Sequence, residues 1–200
     1  MSLLGTLHGG LVHNRRVAAL AKHIAELLPP AAHVLDVGCG DGALSARLRA
    51  LRPDIRIEGI DVLVRPHTAV PVRPFDGVRI PYDDASVDVV LMVDVLHHTD
   101  DPLVLLREAA RVTSAGVLLK DHLRDGVGAR LTLRGMDWVG NARHGVRLPY
   151  TYWSRAEWDR AFAEVGLVVS EWRSALNLYP APASWLFDRS LHFIATLDVA

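Results

Sequence analysis

The chain has 200 residues, half of them hydrophobic, and its formal net charge at pH 7 is -1. This length suits one domain that buries a core of its own, and the near balance of charge excludes a field that would attract nucleic acid or an anionic membrane surface. The single cysteine, Cys39, excludes an intrachain disulfide, and no stretch reaches the roughly 18 apolar residues of a membrane span. We therefore expect a cytoplasmic protein. The arginine-rich, lysine-poor composition indicates a bacterial one.

The residues up to Asp61 have the pattern of a helix followed by a β-α-β unit. Apolar residues recur at helical spacing over 11–28, and two prolines follow. His33–Val37 is an apolar run typical of a buried strand, and Ile55–Ile60 is a second one. The helix between these strands is predicted over Ala43–Leu51.

The middle of the chain continues this alternation with one interruption. Pro66, Pro71 and Pro74 follow the second strand. Because proline breaks a helix interior, we expect the crossover helix there to be short or missing. The next predicted elements are a strand over Val87–Val93, a helix over Pro102–Val112 capped by Asp100 or Asp101, and a strand over Ala115–Lys120.

Residues 123–152 have weak periodicity and many glycines. We expect an irregular insertion or lid here, because long loops without secondary structure are usually functional. His144 is a candidate site residue if this segment folds over the site.

The last quarter of the chain is predicted to form a helix and two closing strands. Ser154 and Glu157 have the spacing of a capping box, and the helix that they start ends at Val165 and Gly166. The loop over 176–187 is apolar and would line either an acceptor pocket or a homodimer contact. The strands are predicted over Leu167–Trp172 and Leu191–Leu197.

The most informative feature is the glycine-rich turn after the first strand. Gly38, Gly40 and Gly42 let the backbone turn sharply at the carboxyl edge of a sheet, where a ligand can lie against it. Gly38, Gly40 and Ala43 also fit the dinucleotide fingerprint, but Asp36 would repel a pyrophosphate. Because the same charge favours a cationic ligand without phosphate, we predict S-adenosylmethionine as the cofactor.

Three acids follow three successive predicted strands. Asp36 ends the first strand, Asp61 ends the second, and Asp76 follows the proline-rich stretch. The carboxyl ends of parallel strands line one crevice, so these acids would lie along a single extended ligand. Carboxylates at such positions can accept hydrogen bonds from ribose hydroxyls and from an adenine amino group.

Several motifs of this chain occur together in one known family. Val34–Gly42 holds the glycine turn, Asp76–Tyr82 leads from an acid to a proline, and Ser86–Val90, Val95–His98 and Leu106–Val112 follow in that order. In their order and spacing, over about residues 30–122, they resemble the class I S-adenosylmethionine-dependent methyltransferases of the small-molecule, type 11-like branch.

This resemblance implies a Rossmann-like α/β fold, with a doubly wound, mostly parallel seven-stranded sheet and a C-terminal antiparallel strand. It also implies that Asp36, Gly38 and Gly40 hold the methionine part of the cofactor and that Asp61 holds the ribose. The other predicted cofactor contacts are Cys39, Val62, Asp76 with Gly77 for the adenine, and the Val93 carbonyl for the ammonium.

Asp94, His97 and His122 are the candidate catalytic residues, because they lie just beyond the fourth and fifth strands, where the transferred methyl group should emerge. Histidine is the side chain best suited to move a proton near neutral pH, although ion pairing or loop ordering explains such residues as well. No metal is assigned, because His97 and His98 would face opposite ways in an extended chain and the single cysteine lies in the glycine turn.

We therefore predict methyl transfer from S-adenosylmethionine to a small apolar or aromatic acceptor, with no nucleic-acid partner. A non-catalytic S-adenosylmethionine-binding protein and an NAD(P)-dependent oxidoreductase stay open as alternatives. One methyltransferase domain is expected over 1–200, with a helical cap over 1–30, a cofactor-binding core over 31–122, the insertion over 123–152, and a C-terminal helix and β-hairpin over 153–200.

Overall fold

The computed structural model describes residues 3–141, 148–188 and 190–200. Its strands are β1 (His33–Val37), β2 (Arg56–Asp61), β3 (Val72–Pro74), β4 (Val87–Val93), β5 (Thr113–His122), β6 (Leu167–Arg173) and β7 (His192–Val199). They form one seven-stranded sheet in the order β3-β2-β1-β4-β5-β7-β6. The pairs from β3 to β5 are parallel, and β7 is antiparallel to both β5 and β6. This arrangement confirms the predicted Rossmann-like sheet.

The helices are α1 (Leu3–Leu27), α2 (Ala43–Leu51), α3 (Pro102–Val112), α4 (Ala129–Asn141), α5 (Arg155–Glu164) and α6 (Ser184–Phe187). Asp101 caps α3, since its side chain accepts a hydrogen bond of 3.0 Å from the Leu103 N–H. The predicted capping box of Ser154 and Glu157 is present at the start of α5. No helix in the described part of the chain has both the length and the hydropathy that a membrane span requires.

Several predicted boundaries are correct and others shift. β1, β4, α2 and α3 have the predicted bounds, whereas α1 begins at Leu3 rather than at residue 11. β5 and β7 are longer than predicted because their antiparallel pairing extends from Gly116 opposite Asp198 to His122 opposite His192. Between β2 and β3 the chain, all of it described, forms bends without a helix, as the prolines predict.

The prediction that residues 123–152 are irregular is wrong, because the segment contains α4. The buried residues of this helix, Ala129, Leu133 and Asp137, recur every four positions. This helical period was hidden by the glycines and by an aspartate on the inward face. The predicted loop over 176–187 likewise ends in the short helix α6, and His144 lies outside the described residues.

The two faces of the sheet are covered by different helices, because neighbouring residues of a strand point to opposite faces. Leu35 faces a core that includes residues of α3 and α5, among them the almost fully buried Trp158. Val34 faces a second core that includes residues of α1 and α2, with Ile24 fully buried. Both cores hold the sheet rigid, so the loops at its edges start from fixed positions.

The parallel strands end at one edge of the sheet. Val37 lies opposite both Ile60 and Met92, and Val93 lies opposite Lys120. The residues that follow β1, β2, β4 and β5 therefore meet at this carboxyl edge, where ligands bind in open α/β sheets.

Candidate cofactor and acceptor site

The glycine turn forms a tight bend with one open position. Gly38, Gly40 and Gly42 have φ angles of 74°, 61° and 74°, in the left-handed region that favours glycine. A Cβ at Gly38 would lie 2.6 Å from Val95 Cγ2, and one at Gly42 would lie 2.7 Å from Val70 Cγ2. A Cβ at Gly40 would meet nothing within 4 Å. Two of the glycines therefore permit close packing, while Gly40 presents bare backbone to open space.

Asp61 connects the end of β2 to this turn. Its Oδ2 accepts a hydrogen bond of 2.8 Å from the Gly40 N–H, and its Oδ1 accepts one of 2.8 Å from the Leu63 N–H. The residue is buried at 9% exposure. A carboxylate oxygen has two lone pairs, so each oxygen can accept one more hydrogen bond. The arrangement fits the predicted binding of ribose hydroxyls beside the open position at Gly40.

Asp36 is buried against α2. Its carboxyl accepts a hydrogen bond from the Ser45 hydroxyl. Burial raises the pKa of Asp36 to about 7, because the lowering by the Ser45 hydrogen bond is smaller than the effect of burial, and the charge of Asp61 raises this pKa further. Asp36 is thus only partly ionised at neutral pH. The electrostatic argument against a pyrophosphate is weaker than the sequence suggested, and Asp61 is the acid that directly contacts the turn.

The predicted adenine contacts lie at the ends of β2 and β3. Asp76 is exposed, and hydrogen bonds from the Arg79 and Val78 backbone N–H groups hold its pKa below the usual range. Gly77 has a φ of 80°, and a Cβ there would lie 3.0 Å from Val62 Cγ1. Val62 is itself 63% exposed. Val62 and Gly77 are therefore neighbours at the surface of the crevice.

The two remaining predicted cofactor residues have different surroundings. Cys39 is half-buried, its side chain packs on Gly59, and burial raises the pKa of its thiol. Val93 is half-buried at the end of β4. Together with the turn and the acids, these residues lie at or near the carboxyl ends of β1, β2 and β4, where the sequence predicts the cofactor.

Asp94 follows β4 directly and has a φ of 59°. Its carboxylate accepts hydrogen bonds from Arg16 of α1 and from the fully buried Lys120 of β5. Burial would raise the pKa of Asp94, but the charges of Lys120 and Arg16 outweigh it and hold that pKa well below the usual range. Asp94 therefore stays ionised and joins α1 to the carboxyl edge of the sheet.

His97 lies between two carboxylates in the interior. Its Nδ1 donates a hydrogen bond of 2.7 Å to Asp121 Oδ1, and its Nε2 lies 3.5 Å from Asp137 Oδ2. Burial opposes a charged ring, but Asp121 and Asp137 outweigh it and raise the pKa of His97 to about 10. His97 is thus an imidazolium at neutral pH.

His122 lies beside His97, and its pKa is shifted in the opposite direction. Its Nδ1 lies 3.4 Å from His97 Nδ1 and 3.6 Å from Asp94 Oδ1. Burial and the Lys120 ammonium lower the pKa of His122 to about 4. The three candidate catalytic residues are therefore adjacent, with an anionic, a cationic and a neutral side chain in contact.

The premise of the no-metal prediction is wrong. Leu96–His98 form a 3-10 turn rather than extended chain, and the ring centroids of His97 and His98 lie 4.1 Å apart. Adjacent imidazoles in such a turn lie side by side. Together with Asp137 of α4, they place three ligand-type atoms within 4.8 Å of one another.

A scan against known families matches residues 11–171 to a family described as "Methyltransferase domain". The chain belongs to this methyltransferase domain family. This match confirms the predicted methyltransferase family and, with it, the predicted cofactor, S-adenosylmethionine.

Curated relatives of this methyltransferase-domain chain are similar to it over part of their length. The 27-O-demethylrifamycin SV methyltransferase of Amycolatopsis mediterranei is 32% identical over 48% of this chain and 41% of its own. The 2-methyl-6-phytyl-1,4-hydroquinone methyltransferase of Synechocystis is 28% identical over 80% of this chain and 54% of its own. The Ubiquinone biosynthesis O-methyltransferase of Sodalis glossinidius is 29% identical over 42% and 38%. The chain thus spans about half or less of these relatives.

Solved structures agree on the fold. A SAM dependent methyltransferase from Aquifex aeolicus superposes with a TM-score of 0.62 at 18% identity, covering 90% of this chain and 89% of the other. The magnesium protoporphyrin IX methyltransferase of Synechocystis with bound SAH gives a TM-score of 0.62 at 16% identity, covering 95% and 84%.

Sequence reasoning missed several residues that surround the candidate catalytic group. Lys120 gave a signal, since it is one of only two lysines and ends an apolar strand. Arg16 gave none, because it lies within an ordinary amphipathic helix. The residues missed are Arg16 of α1, Lys120 of β5, Asp137 of α4, Tyr152, Tyr179 and His192 of β7.

Proposed function

We propose that this protein transfers a methyl group from S-adenosylmethionine to a hydroxyl group on a small aromatic acceptor. One observation carries the proposal: the backbone that bears Asp94 lies against the cofactor turn. Val95, the next residue, has its side chain where a Cβ of Gly38 would be. Asp94 directly precedes Val95 in the chain. The charged group of Asp94, His97 and His122 therefore begins beside the turn that is proposed to hold the cofactor.

The proposed acceptor side of the site combines aromatic rings with this charged group. Tyr152 stacks on His97 with ring centroids 5.6 Å apart, and Tyr179 lies 5.9 Å from the ring of His192. Aromatic side chains of this kind favour a flat acceptor through stacking. Arg16, Tyr152 and Tyr179 come from α1, from residues 123–152 and from the apolar loop over 176–187, three segments that lie outside the predicted cofactor-binding core.

When bound, the cofactor supplies an electrophilic methyl group on a sulfonium. The residues of this chain then orient the acceptor and manage the charge on its oxygen. His122 is neutral and offers a ring nitrogen that accepts the hydroxyl proton as the oxygen is methylated, and because the pKa of this ring is low, it then releases the proton to solvent. His97 is cationic and stabilises negative charge that develops on the oxygen in the buried site. Orientation in line with the sulfonium supplies much of the remaining rate.

The names of two of the relatives support a hydroxyl acceptor. Two of the three relatives described above are named for O-methylation, one of a rifamycin and one in ubiquinone biosynthesis. The third is named for a hydroquinone. A buried pair of neutral and charged histidines beside aromatic rings suits such acceptors, because a phenolic oxygen gains most from a nearby cation.

Calorimetric titration with S-adenosylmethionine, its demethylated product and NADH tests the cofactor half of the proposal. We expect both sulfur ligands to bind and NADH to bind weakly, whereas preferential binding of NADH would favour an oxidoreductase. Incubation with methyl-labelled cofactor and a panel of catechols, hydroquinones and naphthoquinols tests the acceptor half. Labelled methyl ethers are expected, and tight cofactor binding without turnover on any acceptor would indicate a non-catalytic binding protein.

A further inference from the structure

A second feature is a set of three side chains that can bind a metal ion, one of which is the candidate catalytic residue His97. His97 and His98 come from the 3-10 turn after β4, and Asp137 comes from α4. One ligand atom from each lies within 4.8 Å of the other two. His97 and Asp137 are buried, at 1% and 7% exposure, and His98 is half-buried.

Two ring nitrogens of this set have no hydrogen-bond partner. His97 Nε2 and His98 Nδ1 are buried without one among the described residues. Leaving a buried polar atom unpaired costs free energy, so such atoms in a folded protein usually have a ligand, an ion or water as partner. Both atoms belong to the side chains that form the candidate metal set.

The separation of the ligand atoms suits a shared metal ion. His97 Nε2 and Asp137 Oδ2 lie 3.5 Å apart, which is long for a hydrogen bond. Two ligands that each lie about 2.0–2.1 Å from a tetrahedral metal ion are about 3.3 Å from one another. A small movement of either side chain would therefore bring both into coordination.

The outer contacts of the set are also those of a metal site. Asp121 Oδ1 accepts a hydrogen bond of 2.7 Å from His97 Nδ1, which aims the opposite nitrogen, Nε2, at Asp137. Asp137 accepts a hydrogen bond from the Tyr152 hydroxyl. A carboxylate behind a metal-binding histidine fixes its tautomer and orientation in many metalloproteins.

We propose that His97 Nε2, a ring nitrogen of His98 and a carboxylate oxygen of Asp137 bind one divalent transition-metal ion, with Zn²⁺ as the representative cation. Two imidazoles and one carboxylate suit zinc and its neighbours, whereas Mg²⁺ and Ca²⁺ prefer oxygen ligands alone. Three protein ligands leave a coordination position open for water or another oxygen ligand. A metal ion at His97 Nε2 displaces the proton that this nitrogen holds in the metal-free protein, where the ring is an imidazolium. The site shares His97 with the proposed function, but it requires neither cofactor nor acceptor, so metal binding can be tested by itself.

A second possible set, Asp94, His97 and His122, is less suited to a cation. Its ligand atoms also lie within 4.8 Å of one another. Arg16 and Lys120 already donate hydrogen bonds to the Asp94 carboxylate. Two fixed positive charges at this carboxylate repel a metal ion and occupy its lone pairs.

Metal titration of the full chain tests the proposal without measuring catalysis. The metal-stripped protein is titrated with Zn²⁺ by calorimetry and with Co²⁺ by visible absorption, which reports coordination directly. We expect one ion per chain, and a dissociation constant that rises about 100-fold or more in Asp137→Asn and His98→Gln, since loss of outer contacts alone costs about 10- to 100-fold. His67→Gln, at an exposed histidine, is the matched control and should bind as the wild type does.

Thermal unfolding of each variant separates lost binding from lost folding. His98 is only half-buried, so His98→Gln keeps the test valid if Asp137→Asn fails to fold. Absence of Zn²⁺ and Co²⁺ binding to the wild-type protein would overturn the proposal. Equal affinity in the wild type and in folded His98→Gln would overturn it too, even if methyl transfer were demonstrated.

Discussion

The Asp61 carboxylate accepts a hydrogen bond of 2.8 Å from the backbone N–H of Gly40. This contact ties the end of β2 to the turn after β1, and it fixes an acid at the position where the turn is most open. The ribose contact predicted for Asp61 thus has a preorganised carboxylate, because its second oxygen is also held, by the Leu63 N–H.

Replacement of Asp61 tests this contact. Asp61→Ala should weaken S-adenosylmethionine binding by roughly 1–3 kcal/mol, through loss of charge-assisted hydrogen bonds to the ribose. Calorimetry measures the change, with Asp83→Asn at an exposed acid as the control of unchanged affinity. Wild-type affinity in a folded Asp61→Ala protein would remove this residue from the site.

Alanine substitutions at Gly38 and Gly40 should differ in their effects on stability and on cofactor affinity. Gly38→Ala places a methyl group 2.6 Å from Val95 Cγ2 at a positive φ, so its free energy of unfolding should fall by about 2–4 kcal/mol. Gly40→Ala has a positive φ but open space, so it should lose only about 1–2 kcal/mol while cofactor affinity falls. Urea unfolding and calorimetry separate the two effects. A larger stability loss in Gly40→Ala than in Gly38→Ala would contradict this account.

Asp36 should make stability fall as pH rises. Its folded pKa of about 7 lies above the usual 3.8, so the folded protein holds this proton more tightly than the unfolded chain does between those values. Stability is therefore lost from about pH 4 to pH 7 and the loss is constant above, with a size of order 1–4 kcal/mol. Asp36→Asn, which can still accept from Ser45, should remove this part of the pH dependence. Urea unfolding of both proteins at pH 5 and pH 8 measures it, and identical pH profiles would contradict the assignment.

His97 and His122 should titrate far apart. The pKa of His97 is raised from 6.5 to about 10, so its ion pairs stabilise the fold fully below pH 6.5 and are lost as pH rises through 10. The pKa of His122 is lowered to about 4, so its protonation destabilises the fold as pH falls from 6.5 toward 4. Imidazole nitrogen shifts of the metal-stripped protein at pH 7.5, assigned with His97→Gln and His122→Gln, should show one charged and one neutral ring. Two rings titrating together near pH 6.5 would exclude this division.

Arg16 should affect the acceptor and not the cofactor. It donates to Asp94 from α1, whereas the adjacent Arg15 is exposed. Arg16→Gln should raise the KM for the acceptor about tenfold, since a hydrogen bond to a charged group contributes about 1.5–3 kcal/mol. Cofactor affinity should not change, and Arg15→Gln should match the wild type in both. A loss of cofactor affinity in Arg16→Gln would contradict this prediction, because it would place Arg16 on the cofactor side of the site.

The turn after β1 could be predicted from the sequence, whereas the group of side chains around Asp94 could not, for a physical reason. Gly38, Gly40 and Asp61 are determined by local backbone demands at the end of a strand, and such demands leave a motif. Arg16, Asp137 and Tyr179 meet only through tertiary contacts between distant segments, which no local spacing records. α4 was missed because Asp137 interrupts its apolar face, and that aspartate is buried for its polar partners rather than for packing.

The contact between Asp94 and Arg16 attaches the first helix to the carboxyl edge of the sheet through a pair of opposite charges, in addition to the packing of α1 on the sheet. The parts of the chain that would select an acceptor are thus fastened onto the β-α-β core from outside it. If the proposed function holds, substitutions in α1, α4 or the segment before β7 should change acceptor preference while the turn after β1 keeps its shape, and directed evolution of these segments should yield new acceptors.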